Sequence, residues 1–217
     1  MIKVENCDVF GWEAAIRGMR NPMNSWDKSD TPDDADVCVI CGSEIIVPII
    51  GSNDLALMKK LVNAGSDHSK FMRMINVTVD VTAPLYWWKE FDTYKVGTVA
   101  NSCSTMHKIH DKEFTLDDFS MEHMVYEMAR VMEIIVDELN DKRQVFLLTK
   151  NKQFWYSMIQ FLPSSYNQRR TVQLNYAVLR NIYHARRNHK LTEWHTFCDF
   201  IKTLPYSELI TGEGTNS

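Results

Sequence analysis

The sequence lacks any long apolar segment. The longest strongly apolar stretch covers only residues 45–50, which is far too short to span a bilayer. The first residues, Met-Ile-Lys-Val-Glu-Asn, contain no apolar core of a signal peptide. Cysteine is scarce and odd in number, with five residues, which argues against a framework of paired disulfides. These absences predict a soluble protein of a reducing compartment, and we expect it in the cytoplasm.

The chain also has no excess of positive charge. Its formal net charge is −4, so non-specific binding to a nucleic-acid polymer or to an anionic membrane is not expected. A small anionic ligand remains possible, because a local cationic pocket can exist on an acidic protein. No internal repeat and no linker rich in proline, glycine or serine divides the sequence, so we expect one domain over residues 1–217, with its core at about 55–200.

The common catalytic and nucleotide-binding motifs are missing. There is no G-x-G-x-x-G and no G-x-x-x-x-G-K-[ST], which excludes a Rossmann fingerprint and a P-loop. H-E-x-x-H and G-x-S-x-G are absent as well. Any nucleotide cofactor must therefore be bound by a less common architecture.

Metal ligation is weakly indicated. Three pairs have the spacing of metal ligands, namely Cys38 with Cys41, His107 with His110, and His195 with Cys198. No third ligand is clearly placed beside any pair, so we expect no metal, and Cys38 and Cys41 are interpreted as small apolar residues at a strand edge. The alternative, a metal-dependent enzyme that uses these pairs, would contain stoichiometric zinc.

What is present predicts an α+β protein with few strands and several helices. The clearest strand is the alternation of Ile75, Val77, Val79 and Val81 with polar residues, which Pro84 ends. A second strand is predicted over 43–50. Helices are predicted over 55–63 with Asp54 as the cap, from the capping box Thr115/Asp118 to about 140, and over 152–162, 171–188 and 191–203.

Two segments carry chemistry suited to a nucleotide. Residues 83–110 combine aromatic side chains, cations and small hydroxyl groups, as a planar heterocycle with a phosphate requires: Trp87, Trp88, Tyr94, Lys89, Lys95, Lys108, Ser102, Ser104 and Thr105. The alternative is an edge of the core followed by a polar loop. In the last third, Asn175 and Arg186 are 11 residues apart, about three helical turns, and so project from nearly the same side.

Together these segments resemble the flavin-dependent thymidylate synthases. That family has R-H-R, seven residues and then Ser, with an internal N-E-x-S, after a strand that ends in Ala-Pro. Here Ala83-Pro84 is followed by Glu90, by Thr93-Tyr94-Lys95 and by Asn101-Ser102-Cys103-Ser104. The family's N-x5-N-x4-R is matched without a gap by Asn175, Asn181 and Arg186. Upstream, Gly65, His68, Ser69 and Phe71 resemble its G-H-x-[ST]-x-[FL]-E-H segment.

The sequence departs from the signature at its charged positions. Two signature arginines are Thr93 and Met106 here, the third is Lys95, and the signature glutamate is Ser102. Either Cys103 or Ser104 occupies the signature serine position, and we prefer Ser104 because Asn101-x-x-Ser104 keeps the internal spacing. Cations that could replace the missing arginines are Arg73, Lys89, Lys108, Arg169 and Arg170, although a lysine offers a point charge where arginine offers a bidentate fork.

The resemblance implies a small central antiparallel sheet with long helices, assembled as a homotetramer. It implies FAD as the cofactor, NADPH and methylenetetrahydrofolate as co-substrates, and methylation of dUMP to dTMP. Arg186 and Ser104 would be catalytic, and Glu90 would bind dUMP with them. The FAD would be lined by His68, Ser69, Lys95, Asn101, Asn175 and Asn181. The alternative is a non-catalytic or repurposed flavin- or nucleotide-binding member of the same family.

Overall fold

The computed structural model describes residues 2–213. Within them the chain forms six strands and eight α-helices. The strands are β1 (Lys3–Phe10), β2 (Ala35–Ile40), β3 (Ser43–Pro48), β4 (Asn76–Pro84), β5 (Val99–Ser102) and β6 (Asn167–Asn175). The helices are α1 (Trp12–Arg20), α2 (Ser52–Asn63), α3 (Leu85–Phe91), α4 (Tyr126–Thr149), α5 (Lys152–Phe161), α6 (Tyr176–Arg186), α7 (Thr192–Thr203) and α8 (Glu208–Thr211). No helix in this part of the chain is long and apolar enough to cross a membrane.

The strands form two sheets. One has four strands in the order β1-β4-β6-β5, and the other is the antiparallel hairpin of β2 and β3, in which Val37 lies opposite Ile46. The hairpin turns at Cys41 and Gly42, whose φ angles of 50° and 79° are those of a type I′ turn. The predicted α+β class with a small antiparallel sheet is confirmed.

Strand β4 shows how the sequence pattern produces the sheet. Val77, Val79 and Val81 are fully buried, whereas Asn76 and Thr78 are only half-buried. Successive side chains of a strand point to opposite faces, so this alternation places a β-branched layer in the core. The strand predicted here, ending at Pro84, is confirmed.

The chain divides into two compact units. The first contains Thr82–Thr93 and Asn101–Arg170 together with residues 2–3, and the second contains Val4–Val81, Tyr94–Ala100 and residues 171–213. Strands β1, β4, β5 and β6 contribute residues to both. The expectation of one domain over residues 1–217 stays a prediction.

The core of the first unit lies between α4 and α5. Met132, Val136 and Leu139 of α4 and Met158 of α5 are buried in it with Phe114.

The predicted start of helix α4 is wrong. Thr115 and Asp118 do form a capping box, but it caps a 3-10 turn at Leu116–Asp118. After that turn the Ser120 N–H donates to the Ser165 carbonyl at 2.8 Å, so the chain pairs with another segment before α4 begins.

The second unit packs α6 against α7, α8 and a 3-10 turn at Lys70–Arg73. The helix predicted over 171–188 is wrong at its start, because residues up to Asn175 belong to β6. Val172 and Leu174 are buried while Thr171 and Gln173 are exposed, which is the period of a strand. The helix begins only at Tyr176.

Candidate functional site

Arg186, the last residue of α6, is held in a defined orientation. Its Nε donates to the Tyr94 hydroxyl at 2.9 Å. Its guanidinium carbon lies 4.8 Å from the ring centroid of Trp194 and 5.6 Å from that of Tyr94. Trp194 is fully buried, so one of these two ring faces belongs to the rigid core. Aromatic faces attract a guanidinium, and the hydroxyl fixes its plane.

Asn175 occupies the other end of α6, where it caps the helix. Its Oδ1 accepts from the Val178 N–H at 3.1 Å, which satisfies one of the donors left free at a helix start. Its amide nitrogen makes no hydrogen bond within residues 2–213. Asn181 lies between the two ends of the helix and is exposed. The spacing read from the sequence therefore does place three polar residues along one helix.

The loop that carries Lys95 passes closely by the start of α6. Gly97 has φ +79°, and a Cβ atom there would lie 3.1 Å from Asn175 Nδ2 and 3.2 Å from Val178 Cγ2. A side chain at this position would be strained and crowded. Lys95, two residues before Gly97 in this loop, is exposed.

His68 and Ser69 lie in the segment between α2 and the 3-10 turn at Lys70–Arg73. The 3-10 turn itself packs against α6. The imidazole of His68 is exposed, whereas the Ser69 hydroxyl donates to the Gly65 carbonyl at 3.1 Å. Six of the predicted residues belong to the second unit, either at α6 or close in sequence to residues that contact it: His68, Ser69, Lys95, Asn175, Asn181 and Arg186.

The other three predicted residues belong to the first unit. Glu90 is half-buried on α3, and Asn101 is exposed on β5. The Ser104 hydroxyl accepts from the N–H groups of Met106 at 3.2 Å and His107 at 2.9 Å, so it shapes a turn. This contact leaves the hydroxyl proton of Ser104 available as a donor.

The backbone of Cys103 is fixed while its side chain is exposed. Its N–H donates to the Arg169 carbonyl at 2.9 Å, and its carbonyl accepts from Gln168 Nε2 at 2.7 Å. Cys103 and Ser104 therefore follow each other in one anchored loop, and the choice between them for the signature position stays open.

Two of the aromatic residues proposed as a stacking surface belong to the core. Trp87 and Trp88 are fully buried, and their rings contact each other at 4.9 Å between centroids. The Trp88 indole donates to the Gln168 carbonyl at 2.9 Å. The alternative interpretation, an edge of the core, is therefore correct for this pair. Trp194, which the sequence analysis did not single out, supplies the aromatic face beside Arg186.

Arg170 is not available to replace a missing arginine. Its Nη1 bonds Asp92 at 2.7 Å, its Nε bonds Gln168 Oε1 at 3.0 Å, and its guanidinium carbon lies 4.2 Å from the Trp88 ring centroid. Its charge is thus neutralised within the first unit. The side chains of Thr93 and Met106, at the positions of two signature arginines, carry no positive charge either.

The Cys and His pairs with the spacing of metal ligands lie within the described residues. Within residues 2–213 no three His, Cys, Asp or Glu side chains are grouped as metal ligands would be. Cys38 lies on β2 and Cys41 in the hairpin turn, as expected for small residues at a strand edge.

Comparison with known proteins gives a structural match only. No family model matches the sequence, and no curated protein matches it significantly. The fold is similar to that of flavin-dependent thymidylate synthase ThyX from Helicobacter pylori in two crystal structures, each with FAD and dUMP. One has a TM-score of 0.67 and covers 99% of this chain and 100% of that chain, at 16% identity. The other has a TM-score of 0.68 and covers 99% of each chain, also at 16% identity.

This full-length match assigns the fold. The chain has the fold of the flavin-dependent thymidylate synthases, so the resemblance found in the sequence is confirmed at that level. At 16% identity the match shows the fold alone, because one fold can host different functions.

Proposed function

We propose that this protein binds FAD and a pyrimidine nucleotide and methylates dUMP to dTMP, with methylenetetrahydrofolate and NADPH as co-substrates. The observation that carries the proposal is the preoriented Arg186 at the end of α6, on a chain that shares its whole fold with an enzyme crystallised with FAD and dUMP. The matching positions Asn175 and Asn181 lie on the same helix.

The side chains around α6 fit a flavin dinucleotide. The amides of Asn175 and Asn181 offer donors that suit the carbonyl edge of an isoalloxazine ring. The exposed ammonium of Lys95 and the imidazole of His68 suit its pyrophosphate. A bound flavin would supply hydride chemistry, which no amino-acid side chain provides. We assign Ser69 and Asn101 to the same cofactor by resemblance.

Arg186 would bind the uracil edge of dUMP and stabilise negative charge that develops on the ring. A guanidinium already fixed by Tyr94 and Trp194 needs no reorganisation when that charge appears, which is the condition for efficient electrostatic stabilisation. Ser104 would donate its hydroxyl proton to the phosphate, since two backbone N–H groups already occupy its acceptor side. Glu90 would contribute to binding dUMP.

The test is a visible absorption spectrum of the protein with FAD, before and after dUMP is added. We expect a bound flavin whose spectrum shifts with dUMP, and dUMP-dependent oxidation of NADPH. Arg186→Ala should keep FAD and lose the response to dUMP. Arg187→Ala, at the neighbouring exposed arginine, is the matched control and should keep both. Loss of FAD in Arg186→Ala would contradict this division of roles.

A separate test decides whether Ser104 or Cys103 binds the phosphate of dUMP. Ser104→Ala and Cys103→Ala, made separately, should differ in dUMP affinity, with the larger loss at Ser104. A larger loss at Cys103 would reverse the assignment, and no loss at either would remove both residues from the site.

A second candidate is a flavin- or nucleotide-binding protein that has lost the methylation reaction. The specific observation in its favour is the loss of cations at Thr93 and Met106, together with the neutralisation of Arg170 by Asp92. A charge-assisted hydrogen bond to phosphate contributes about 1.5–3 kcal/mol, so these losses weaken nucleotide binding. This candidate predicts a bound flavin, no spectral response to dUMP and no dUMP-dependent oxidation of NADPH.

A further inference from the structure

Residues 208–213 contain α8 and lie against α6 in the second unit, and we call them the α8 segment. None of the residues assigned above to FAD or dUMP belongs to it. The segment is firmly anchored, because the side chains of Leu209 and Ile210 are fully buried. Glu208 also pairs with Lys59 of α2 at 3.5 Å. The α8 segment is therefore a fixed part of the unit to which α6 is attached.

Two side chains of α6 bond the α8 segment. Nη1 of Arg180 donates to the carbonyls of Leu209 and Ile210 at 3.2 and 3.1 Å. The last carbonyls of a helix have no partner within it, so this guanidinium satisfies the end of α8. Three residues further along α6, the hydroxyl of Tyr183 donates to Glu213 Oε1 at 2.6 Å. The Tyr183 side chain is buried, so this bond joins the packed face of α6 to the segment.

These contacts hold the part of α6 that carries Arg186. Arg186 is the last residue of the helix and follows Tyr183 by three positions, so the two are neighbours on the helix surface. Helix ends fray, because their last carbonyls lack a partner within the helix. Opening of the last turn would move Arg186 away from Tyr94 and Trp194, which orient its guanidinium. A bond from Tyr183 to an anchored segment opposes that opening.

We propose that the α8 segment positions Arg186 through the bonds that it makes with Tyr183 and Arg180. Glu213 and Arg180 are then positioning residues, which keep the last turn of α6 closed without contacting flavin or nucleotide themselves. The expected consequence, tighter binding of dUMP, rests on the proposed function. The order of α6 and of Arg186 is measured without any ligand, so the two ideas are tested separately.

Two variants of Glu213 separate the hydrogen bond from the charge. Glu213→Ala removes the acceptor of the Tyr183 hydroxyl, whereas Glu213→Gln keeps an acceptor oxygen. In hydrogen exchange followed by mass spectrometry, the amides of residues 183–187 should exchange about tenfold faster in Glu213→Ala, because a charge-assisted bond is lost. Glu213→Gln should exchange nearly as slowly as the unmodified chain. Glu44→Ala, at an exposed carboxylate of the β2–β3 hairpin, is the control and should change nothing.

Phenylglyoxal, which modifies the guanidinium of arginine, reports on Arg186 itself. A guanidinium that is hydrogen-bonded and packed against rings reacts slowly, so the rate of modification at Arg186 should rise several-fold in Glu213→Ala and return in Glu213→Gln. The rate at Arg17, which is exposed on α1, is the internal control. Unchanged exchange in α6, or faster exchange without a faster reaction at Arg186, would overturn the proposal.

Spectral titration with dUMP of the chain loaded with FAD measures the consequence, at a temperature at which each variant is folded. Glu213→Ala should raise the dissociation constant of dUMP several-fold and leave that of FAD unchanged, and Glu213→Gln should restore dUMP binding. A lower melting temperature with unchanged dUMP affinity would mean that the α8 segment is only structural, and the proposal would be wrong. If the unmodified chain does not respond to dUMP, the proposed function fails, and the exchange and phenylglyoxal rates still decide whether the segment positions Arg186.

Discussion

Most of the proposed chemistry depends on the orientation of the Arg186 guanidinium. A change at Tyr94, which accepts a hydrogen bond from it, tests this orientation. Tyr94→Phe keeps the ring beside Arg186 and removes the hydroxyl that accepts from Nε. A hydrogen bond that involves a charged group contributes about 1.5–3 kcal/mol, so we expect the dissociation constant of dUMP to rise about tenfold. FAD affinity should stay unchanged, and both constants can be measured by spectral titration.

The control for this variant is Tyr156→Phe, which removes the hydroxyl of an exposed tyrosine on α5. If both variants bind dUMP as tightly as the unmodified chain, Tyr94 does not position Arg186. A loss of FAD affinity in Tyr94→Phe would instead assign Tyr94 to the cofactor.

Asp54 is the residue whose loss should affect stability most directly. It is fully buried and accepts from Arg20, Ser29 and Thr31 as well as from two backbone N–H groups. Asp54→Asn leaves the buried guanidinium of Arg20 without its counter-charge. Breaking a buried pair in this way costs about 3–5 kcal/mol in the free energy of unfolding. Urea unfolding should show this loss, with Glu44→Gln as a control that changes little.

The same carboxylate predicts a pH dependence. Burial by itself raises the pKa of Asp54, but the hydrogen bonds from Ser29, Thr31 and Arg20 outweigh it and hold the pKa below its ordinary value of 3.8. A group whose pKa is lowered by folding stabilises the folded state above its ordinary pKa, and this contribution is lost as the pH falls through the folded pKa. The unmodified chain should therefore lose stability below about pH 4 more steeply than Asp54→Asn. Equal slopes in acid unfolding would contradict the role of this group.

At the level of elements, α6 offers a way to separate a structural role from a binding role. Asn175 caps the helix through Oδ1, and its amide nitrogen is the group assigned to FAD. Asn175→Asp keeps an equally good cap, because Asn and Asp are similarly favoured at this position, but a carboxylate cannot donate. We expect the melting temperature to stay within a few degrees and FAD affinity to fall several-fold.

The chain contains a matched control for this change. Asn151 caps α5 in the same way, accepting from the Gln153 N–H at 3.0 Å, and no role in binding is assigned to it. Asn151→Asp should leave both the melting temperature and FAD affinity unchanged. If Asn175→Asp also keeps its FAD affinity, Asn175 is only a helix cap.

Some elements follow from the sequence because a local pattern is sufficient to specify them. The alternation in β4, and the Pro163 after α5, made those elements predictable. Strand β6 was missed because its alternation is short and runs directly into α6, where a helical period continues the apolar pattern. The capping box at Thr115 and Asp118 is real, but the turn that follows is decided by pairing between Ser120 and Ser165, which no local pattern contains.

The candidate site also has a part that the sequence predicts and a part that depends on tertiary packing. Asn175, Asn181 and Arg186 could be grouped from the sequence because helical spacing places them along one element. The contact of Arg186 with Tyr94 joins residues 92 positions apart, and it depends on tertiary packing. For Trp87 and Trp88 the sequence left a stacking surface and an edge of the core as alternatives, since only the packed structure shows that both rings are enclosed.

At the scale of the whole molecule, α4 exposes apolar side chains that a contact between chains of the predicted homotetramer would bury. Val131, Ile134 and Leu148 lie on this helix and are 43%, 62% and 83% exposed. Large apolar side chains grouped on one helix of an isolated chain are typical of a surface that another molecule covers. Light scattering should give a mass of four times the 25.3 kDa of one chain.

Two variants test whether these exposed residues of α4 form the contact between chains. Ile134→Lys with Leu148→Lys should give a smaller species, because a lysine cannot be buried in an apolar contact without a partner. Leu116→Lys, at an exposed leucine outside α4, should keep the mass of the unmodified chain. FAD titration of the dissociated variant then distinguishes two arrangements. Retained FAD affinity means that one chain holds the whole cofactor, whereas its loss alongside a native melting temperature means that neighbouring chains complete the site.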